Sequence, residues 1–249
     1  MNPALRRALI PLAVAFAILV PALQAILNLG LSPSQFASDG NQTLRAAGYA
    51  FSIWSLIYAG LVAYAVWQAL PRNRDDPLLA AVAPASFVAI VGCGLWICAS
   101  ALDLKWTSVA IIVGSAAILT LGLLRAARVG GTASLAERAF VWAPLSLLAG
   151  WLTIASAINI LTVLTAEGLI AGAPKAAAFT GIVAVLIAAL AVLRTKRLAV
   201  YGVPIAWGLV AVWVAEKAAK GDVAALALGA AVLVGAYTVW QFRPTEAPH

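Results

Sequence analysis

The chain has 249 residues, of which 64% are hydrophobic and 10% charged, and its mean hydropathy is +1.00. Soluble domains average roughly 45–50% apolar and about 25% charged residues, so this composition excludes an ordinary soluble globule and indicates an integral membrane protein. The formal net charge of +7 comes without a basic cluster interleaved with aromatics for base stacking, so it points to basic loops on a cytoplasmic face and not to nucleic acid.

A membrane-crossing helix needs roughly 20 mostly apolar residues, and hydropathy divided at breakers predicts eight of them. The first covers about 8–30. Its basic start resembles a signal peptide, but the apolar run is longer than a signal core and no small-residue cleavage site follows closely, so it reads as a retained helix. The polar loop "LSPSQFASDGNQTLRAA" leads to the second, about 48–70, which ends at "PRNRDDP". The third (about 78–102) and fourth (about 106–127) are separated only by "DLK", which makes them antiparallel neighbours. "RVGGTASLAER" precedes the fifth, about 140–164, and "TAEGLIAGAPKA" the sixth, about 177–193. "RTKR" separates the sixth from the seventh, about 198–215, and "EKAAKGD" leads to the eighth, about 223–242, and a short polar tail.

The sixteen basic residues support this count. With eight spans, eleven fall on one side: Arg6, Arg7, Arg72, Arg74, Arg125, Arg128, Arg138, Arg194, Lys196, Arg197 and Arg243. Five fall on the other: Arg45, Lys105, Lys175, Lys217 and Lys220. The positive-inside rule then places both termini in the cytoplasm and the protein in the cell inner membrane. A missed or extra span would scramble the alternation.

Cys93 and Cys98 lie five apart in one apolar run, so a helix turns their side chains away from each other. No His stands near them, and they read as two small buried hydrophobes. Gly92 and Gly94, or Gly229 and Gly235, permit close helix approach, inside the protein or in a homodimer.

The usual catalytic signatures are missing. The only histidine is His249, the last residue, and no HExxH, CxxC, P-loop or GxSxG pattern appears. A metal centre needs several His, Cys or carboxylate ligands, so neither a metal nor a cofactor is expected, and neither is an enzyme. Asp103, Lys105, Glu216 and Lys217 sit at predicted helix ends, where they read as snorkelling or solvated charges.

The spans are instead rich in tryptophan. Of nine, Trp67, Trp106, Trp142 and Trp240 lie close to span ends, where the interfacial belt accounts for them, and Trp213 lies near one. Trp54, Trp96, Trp151 and Trp207 lie deeper, where an indole N–H needs an acceptor in the protein, a cavity or a ligand. In the second span Phe51, Trp54 and Tyr58 follow i, i+3, i+7 spacing and share a face. In the fifth, Trp151, Ala155 and Asn159 form a stripe at i, i+4, i+8. An intramembrane Asn is costly unless paired, so it should point inward. This spacing fits both a pocket for a flat apolar molecule and aromatic helix packing.

At these residues the chain resembles the TspO/MBR family, the translocator or tryptophan-rich sensory proteins. The family's second helix reads roughly F-x-P-V-W-T-x-L-Y with a later V-W; here "FSIWSLIY" supplies Phe51, Trp54 and Tyr58, and Val66-Trp67 follow. The family's fifth helix reads roughly P-Y-x-x-W-x-x-x-A-x-x-x-N; here "PLSLLAGWLTIASAIN" supplies Pro144, Trp151, Ala155 and Asn159. Where the family's third helix has N-x-x-W, "CGLW" keeps Trp96 and has Cys93. The family's K-P-x-W-x-P-P loop after the first helix is absent. The motifs lie within residues 48–165.

The resemblance implies an all-α integral membrane protein: a TspO-like five-helix core over residues 1–165, then three additional transmembrane helices and a short tail over 166–249. It implies a binding protein for a hydrophobic small molecule, tetrapyrrole-like (a porphyrin) or sterol-like, with transport or sensing attached and a homodimer possible. The expected ligand-binding residues are Phe51, Trp54, Tyr58, Trp96, Trp151, Ala155 and Asn159. The competing readings are a small-solute transporter or exporter, a membrane enzyme acting on a lipid or pigment, and an assembly subunit without a small ligand.

Overall fold

The computed structural model describes residues 1–129 and 133–243. His249 lies outside them. Every regular element among the described residues is helical, and eight helices are long and apolar enough to cross a membrane. Lipid offers no partner to a backbone N–H or C=O, so a spanning segment of this composition must satisfy its own backbone as a helix. The helices are α1 (Pro3–Ile26), α2 (Ile53–Ala69), α3 (Pro77–Ala101), α4 (Lys105–Val129), α5 (Ala143–Ala166), α6 (Pro174–Leu193), α7 (Gly202–Glu216) and α8 (Gly221–Gln241). Three of them begin on one-turn extensions: the 3-10 turn Gly48–Ser52 before α2, the π turn Arg138–Trp142 before α5, and the 3-10 turn Lys196–Tyr201 before α7.

Local chemistry sets several starts. Asn2 Oδ1 accepts the Ala4 N–H at 3.0 Å and Pro3 opens α1, which therefore begins five residues before the apolar run. Asp76 Oδ1 caps the Leu79 N–H at 3.1 Å ahead of α3, again with Pro in the first turn. A capping side chain followed by Pro is a start signal that hydropathy alone passes over.

Two sets of end-to-end hydrogen bonds establish the alternation of the helices. At the end that carries both termini, the buried Arg6 (1% exposed) donates from Nη2 to the carbonyls of Asn73 (2.8 Å) and Arg74 (3.0 Å). There also Arg7 Nε donates to Ala69 O, Arg197 Nη1 to Ala127 O, and the Gln241 side chain to Leu193 O. At the opposite end the Leu31 N–H donates to Ala101 O, Thr165 Oγ1 to Thr43 Oγ1, and Lys175 pairs with Asp222. Arg6 is thus a buried ion whose guanidinium is met by the ends of peptide dipoles, inside α1 and not in a loop before it.

Helix α5 is the centre. It packs against α2, α4, α6 and α7, while α1 closes the α2 and α3 side and α8 closes the α6 and α7 side. One contiguous hydrophobic core draws on all eight helices, from Ile10 and Ile57 through Leu148 to Ile182, Leu209 and Val234. Glycines allow the close approaches. A Cβ at Gly150 of α5 would collide with the Tyr201 carbonyl and the Pro204 ring, and one at Gly94 of α3 with the Phe16 ring of α1. Gly92 likewise meets Ser115 of α4, so the α3 pair serves internal packing, whereas Gly229 and Gly235 of α8 face open space. Of the two free cysteines, Cys93 is buried and donates to Ala89 O, but Cys98 is exposed on the outside of α3 and is not a core residue.

Candidate functional site

The three aromatic helices converge where the sequence pattern expects. Phe51 precedes α2 on its 3-10 turn; Trp54 on α2, Trp96 on α3, and Trp151 and Ala155 on α5 join it around a small void of about 30 Å³. The rest of its wall is Gly92, Cys93, Ile112, Ser115 and Leu152. Trp54 and Trp151 meet edge to face, with ring centroids 6.2 Å apart at 81°. Tyr58 does not line this void; it stacks on Trp54 at 5.1 Å and 28°, fixing the indole from behind.

Phe51, Trp96, Trp151 and Ala155 also face a second, larger chamber of about 260 Å³, toward the end of the bundle away from the termini. Asn159 is on this wall, one helical turn beyond Ala155. Six of the seven residues expected from sequence therefore line the two adjoining voids, and the seventh buttresses one of the six.

Asn159 has a structural commitment. Its Oδ1 accepts the Trp96 indole N–H at 3.3 Å and its Nδ2 donates to Ser108 Oγ at 3.0 Å, so one buried amide ties α3, α4 and α5 together. This satisfies a polar group that lipid would not and fixes the Trp96 indole on the chamber wall. The deep void carries hardly any polar surface, Ser115 apart, so no polar path crosses the bundle there.

The chamber is roofed by the connection between α1 and α2. Residues Pro33–Ser38 form a short helix, started by a reciprocal cap in which Ser32 Oγ accepts the Gln35 N–H and Gln35 Oε1 accepts the Ser32 N–H. That helix buries Phe36 (1% exposed) against Trp96, at 6.3 Å and 84°. Leu44, Arg45, Ala46 and Gly48 continue the roof. Phe36 and Leu44 escape a hydropathy reading because they sit in a polar loop. The S-P-S-Q cap before Phe36 is the signal that would reveal the helix.

The roof is fastened to α7 and α8 by charge. Glu216, expected as a solvated end charge, is fully buried. Its Oε1 accepts the Arg45 backbone N–H at 2.7 Å and takes Arg45 Nε and Lys220 Nζ at 3.4 Å each. Lys220 Nζ also donates to the Asn41 and Thr43 carbonyls, at 3.1 and 3.0 Å. The Ala47 N–H donates to Ala211 O at 3.0 Å. Of these three charged groups only Arg45 lines the chamber itself.

The remaining tryptophans divide less simply than depth suggests. Trp106 and Trp240 are exposed near helix ends, as the interfacial belt requires. Trp207, though deep in its span, is 37% exposed; its indole N–H donates to Ala50 O at 3.1 Å and its ring meets Tyr49 at 5.1 Å, pinning α7 to the start of α2. Trp142 does not belong to the belt: it is 2% exposed, inside the bundle at the terminal end, with the Arg197 guanidinium 5.6 Å from its ring.

A family model described as TSPO-like protein matches residues 7–240, nearly the whole chain. The match extends past the motif-bearing stretch 48–165 and through α6, α7 and α8. No curated protein matches the chain, and no solved structure does. A match over that length, on eight apolar helices, makes this multi-pass membrane protein a member of the TSPO-like family.

Proposed function

We propose that the chain binds a flat hydrophobic ligand with an anionic edge, of the tetrapyrrole class, in the chamber between α2, α3 and α5. One observation carries this reading: Phe51, Trp96 and Trp151, brought from three segments of the chain, line a shared chamber of about 260 Å³. Trp96 and Trp151 offer ring surface, Ala155 leaves the gap between them, and Phe51 closes the side. Aromatic pairs contribute about 0.5–1.5 kcal/mol beyond area burial. Arg45, which lines the chamber and keeps 38% of its side chain exposed, offers an acidic edge a cation that a neutral sterol-like ligand would not use.

The chamber's volume of about 260 Å³ is just below the roughly 300–1,000 Å³ of pockets that enclose drug-sized molecules. A tetrapyrrole therefore gains access by displacing the 33–48 roof, whose fastenings are a few hydrogen bonds and one ion cluster. With this reading goes an orientation in which the termini are cytoplasmic, on the eleven-to-five division of basic residues, and the chamber opens to the far side.

The test is a titration of purified protein in detergent with a panel of porphyrins and sterols, read by tryptophan fluorescence quenching and ligand absorbance. Wild type should bind at least one porphyrin saturably, and the Trp54→Ala/Trp151→Ala double variant should lose it. No saturable binding by wild type across the panel refutes the reading.

A further inference from the structure

Along α5 the aromatic site changes from polar to apolar. At the roof end the chamber is bordered by Ser38, Asn41, Arg45 and Thr162. At the deep end the small void is walled by Trp54, Cys93, Ile112 and Leu152, none of which reaches the chamber. From Leu152 to Thr162 the helix rises roughly 15 Å. Phe51, Trp96, Trp151 and Ala155 border both spaces. Three of these four are large aromatics, so the passage between the spaces runs past Ala155.

The deep void suits a hydrocarbon group and little else. Its thiol and its hydroxyl are turned to the protein: Cys93 donates to Ala89 O at 3.2 Å within α3, and Ser115 Oγ lies against Gly92, where a Cβ would collide with it. A water needs roughly two to four polar partners, and the wall does not supply them. The volume of about 30 Å³ exceeds the roughly 10–15 Å³ that one small probe requires. It admits a group of about one or two carbon atoms and is far too small for a ring.

We propose that the deep void is a specificity subsite for one short hydrocarbon substituent of the bound ligand, an inference that rests on the ligand reading above. The ring of the ligand lies in the chamber, its acidic edge is toward Arg45, and the substituent on the opposite edge passes Ala155 to end between Trp54, Cys93 and Ile112. A ligand with hydrogen at that position leaves the void empty. One with a short alkyl group fills it and gains the contact of the surrounding rings.

The test compares mesoporphyrin, which carries ethyl groups, with deuteroporphyrin, which has hydrogen at the same ring positions and the same propionates. Both are titrated against the full chain in detergent by absorbance, with affinities corrected for partition into protein-free micelles. Wild type should bind mesoporphyrin about four- to fifteen-fold tighter, the gain of burying one or two carbon atoms. Cys93→Met fills the void from α3 and Ile112→Phe fills it from α4; each should bring the ratio near unity, and either decides the matter if the other does not fold. Leu95→Met, on the exposed outside of α3, should keep the wild-type ratio. Equal binding of the two porphyrins by wild type, or a preference that survives in folded Cys93→Met or Ile112→Phe protein, overturns the subsite and leaves the ligand reading standing. Binding of neither porphyrin overturns both.

Discussion

Glu216, at the end of α7, and Arg45, in the loop that roofs the chamber, are joined twice. The carboxylate accepts both the backbone N–H of Arg45 at 2.7 Å and its guanidinium Nε at 3.4 Å. A contact spanning 171 positions of sequence therefore decides how firmly the roof is held over the aromatic rings. The carboxylate is fully buried while the Arg45 side chain keeps 38% of its surface, so the pair sits at the boundary between water and the protein interior.

Glu216→Gln should loosen the roof. Removing the charge leaves Arg45 and Lys220 facing each other without a counterion, and unsatisfied buried groups cost about 1–3 kcal/mol. Hydrogen exchange should quicken over residues 41–47, with α5 unchanged. Under the proposed function, ligand association should quicken as well. Unaltered exchange in that segment would show that the ion cluster does not hold it.

Asn159→Leu should destabilise the bundle by about 0.6–1.7 kcal/mol, the range of polar contacts between transmembrane helices. The substitution leaves the Trp96 indole N–H and the Ser108 hydroxyl without the amide that joins them. Reversible unfolding in mixed micelles measures the loss, and Ser108→Ala should cost less because the Trp96 contact survives. Equal costs would place the stabilisation in the Ser108 bond instead.

Gly150→Leu and Gly229→Leu should part sharply. At Gly150 any side chain meets the backbone of Tyr201, which cannot move without shifting α7, so the cost should exceed roughly 3 kcal/mol and folded yield should collapse. At Gly229 nothing lies within 4 Å of the added atom, so yield and melting temperature should hardly change in dilute detergent. A large effect at Gly229 would instead reveal a partner on the α8 face.

Much of this was legible from residue types and spacing. Eight apolar runs form eight helices because lipid demands length and hydropathy from each; the third lies within a residue of its expected bounds, whereas the first starts five residues early, on the Asn2 cap, and stops at Ile26. Phe51, Trp54, Trp96, Trp151, Ala155 and Asn159 come together because helical periodicity fixes a face and a polar or aromatic face turns inward. The roof was not legible. Phe36 is an apolar residue within polar sequence, and its burial depends on a short capped helix docking on Trp96. Glu216 departs from the sequence expectation for a related reason: a charge at a helix end is ordinarily solvated, and only the fold brings Arg45 and Lys220 to it. Trp142 closes the π turn at the start of α5, where it is 2% exposed and has Arg197 of the Lys196–Tyr201 turn against its ring.

The claim on which the functional reading rests is that the space beside Ala155 is where the ligand lies. The most direct measurement is a porphyrin titration of Ala155→Leu beside wild type, followed by ligand absorbance, with melting temperature confirming the fold. Leu at this position fills the gap between Trp96 and Trp151 while keeping every aromatic ring. The account predicts saturable binding to wild type and at least a ten-fold loss of affinity in the variant. Undiminished affinity in a folded Ala155→Leu protein would place the ligand elsewhere and contradict it.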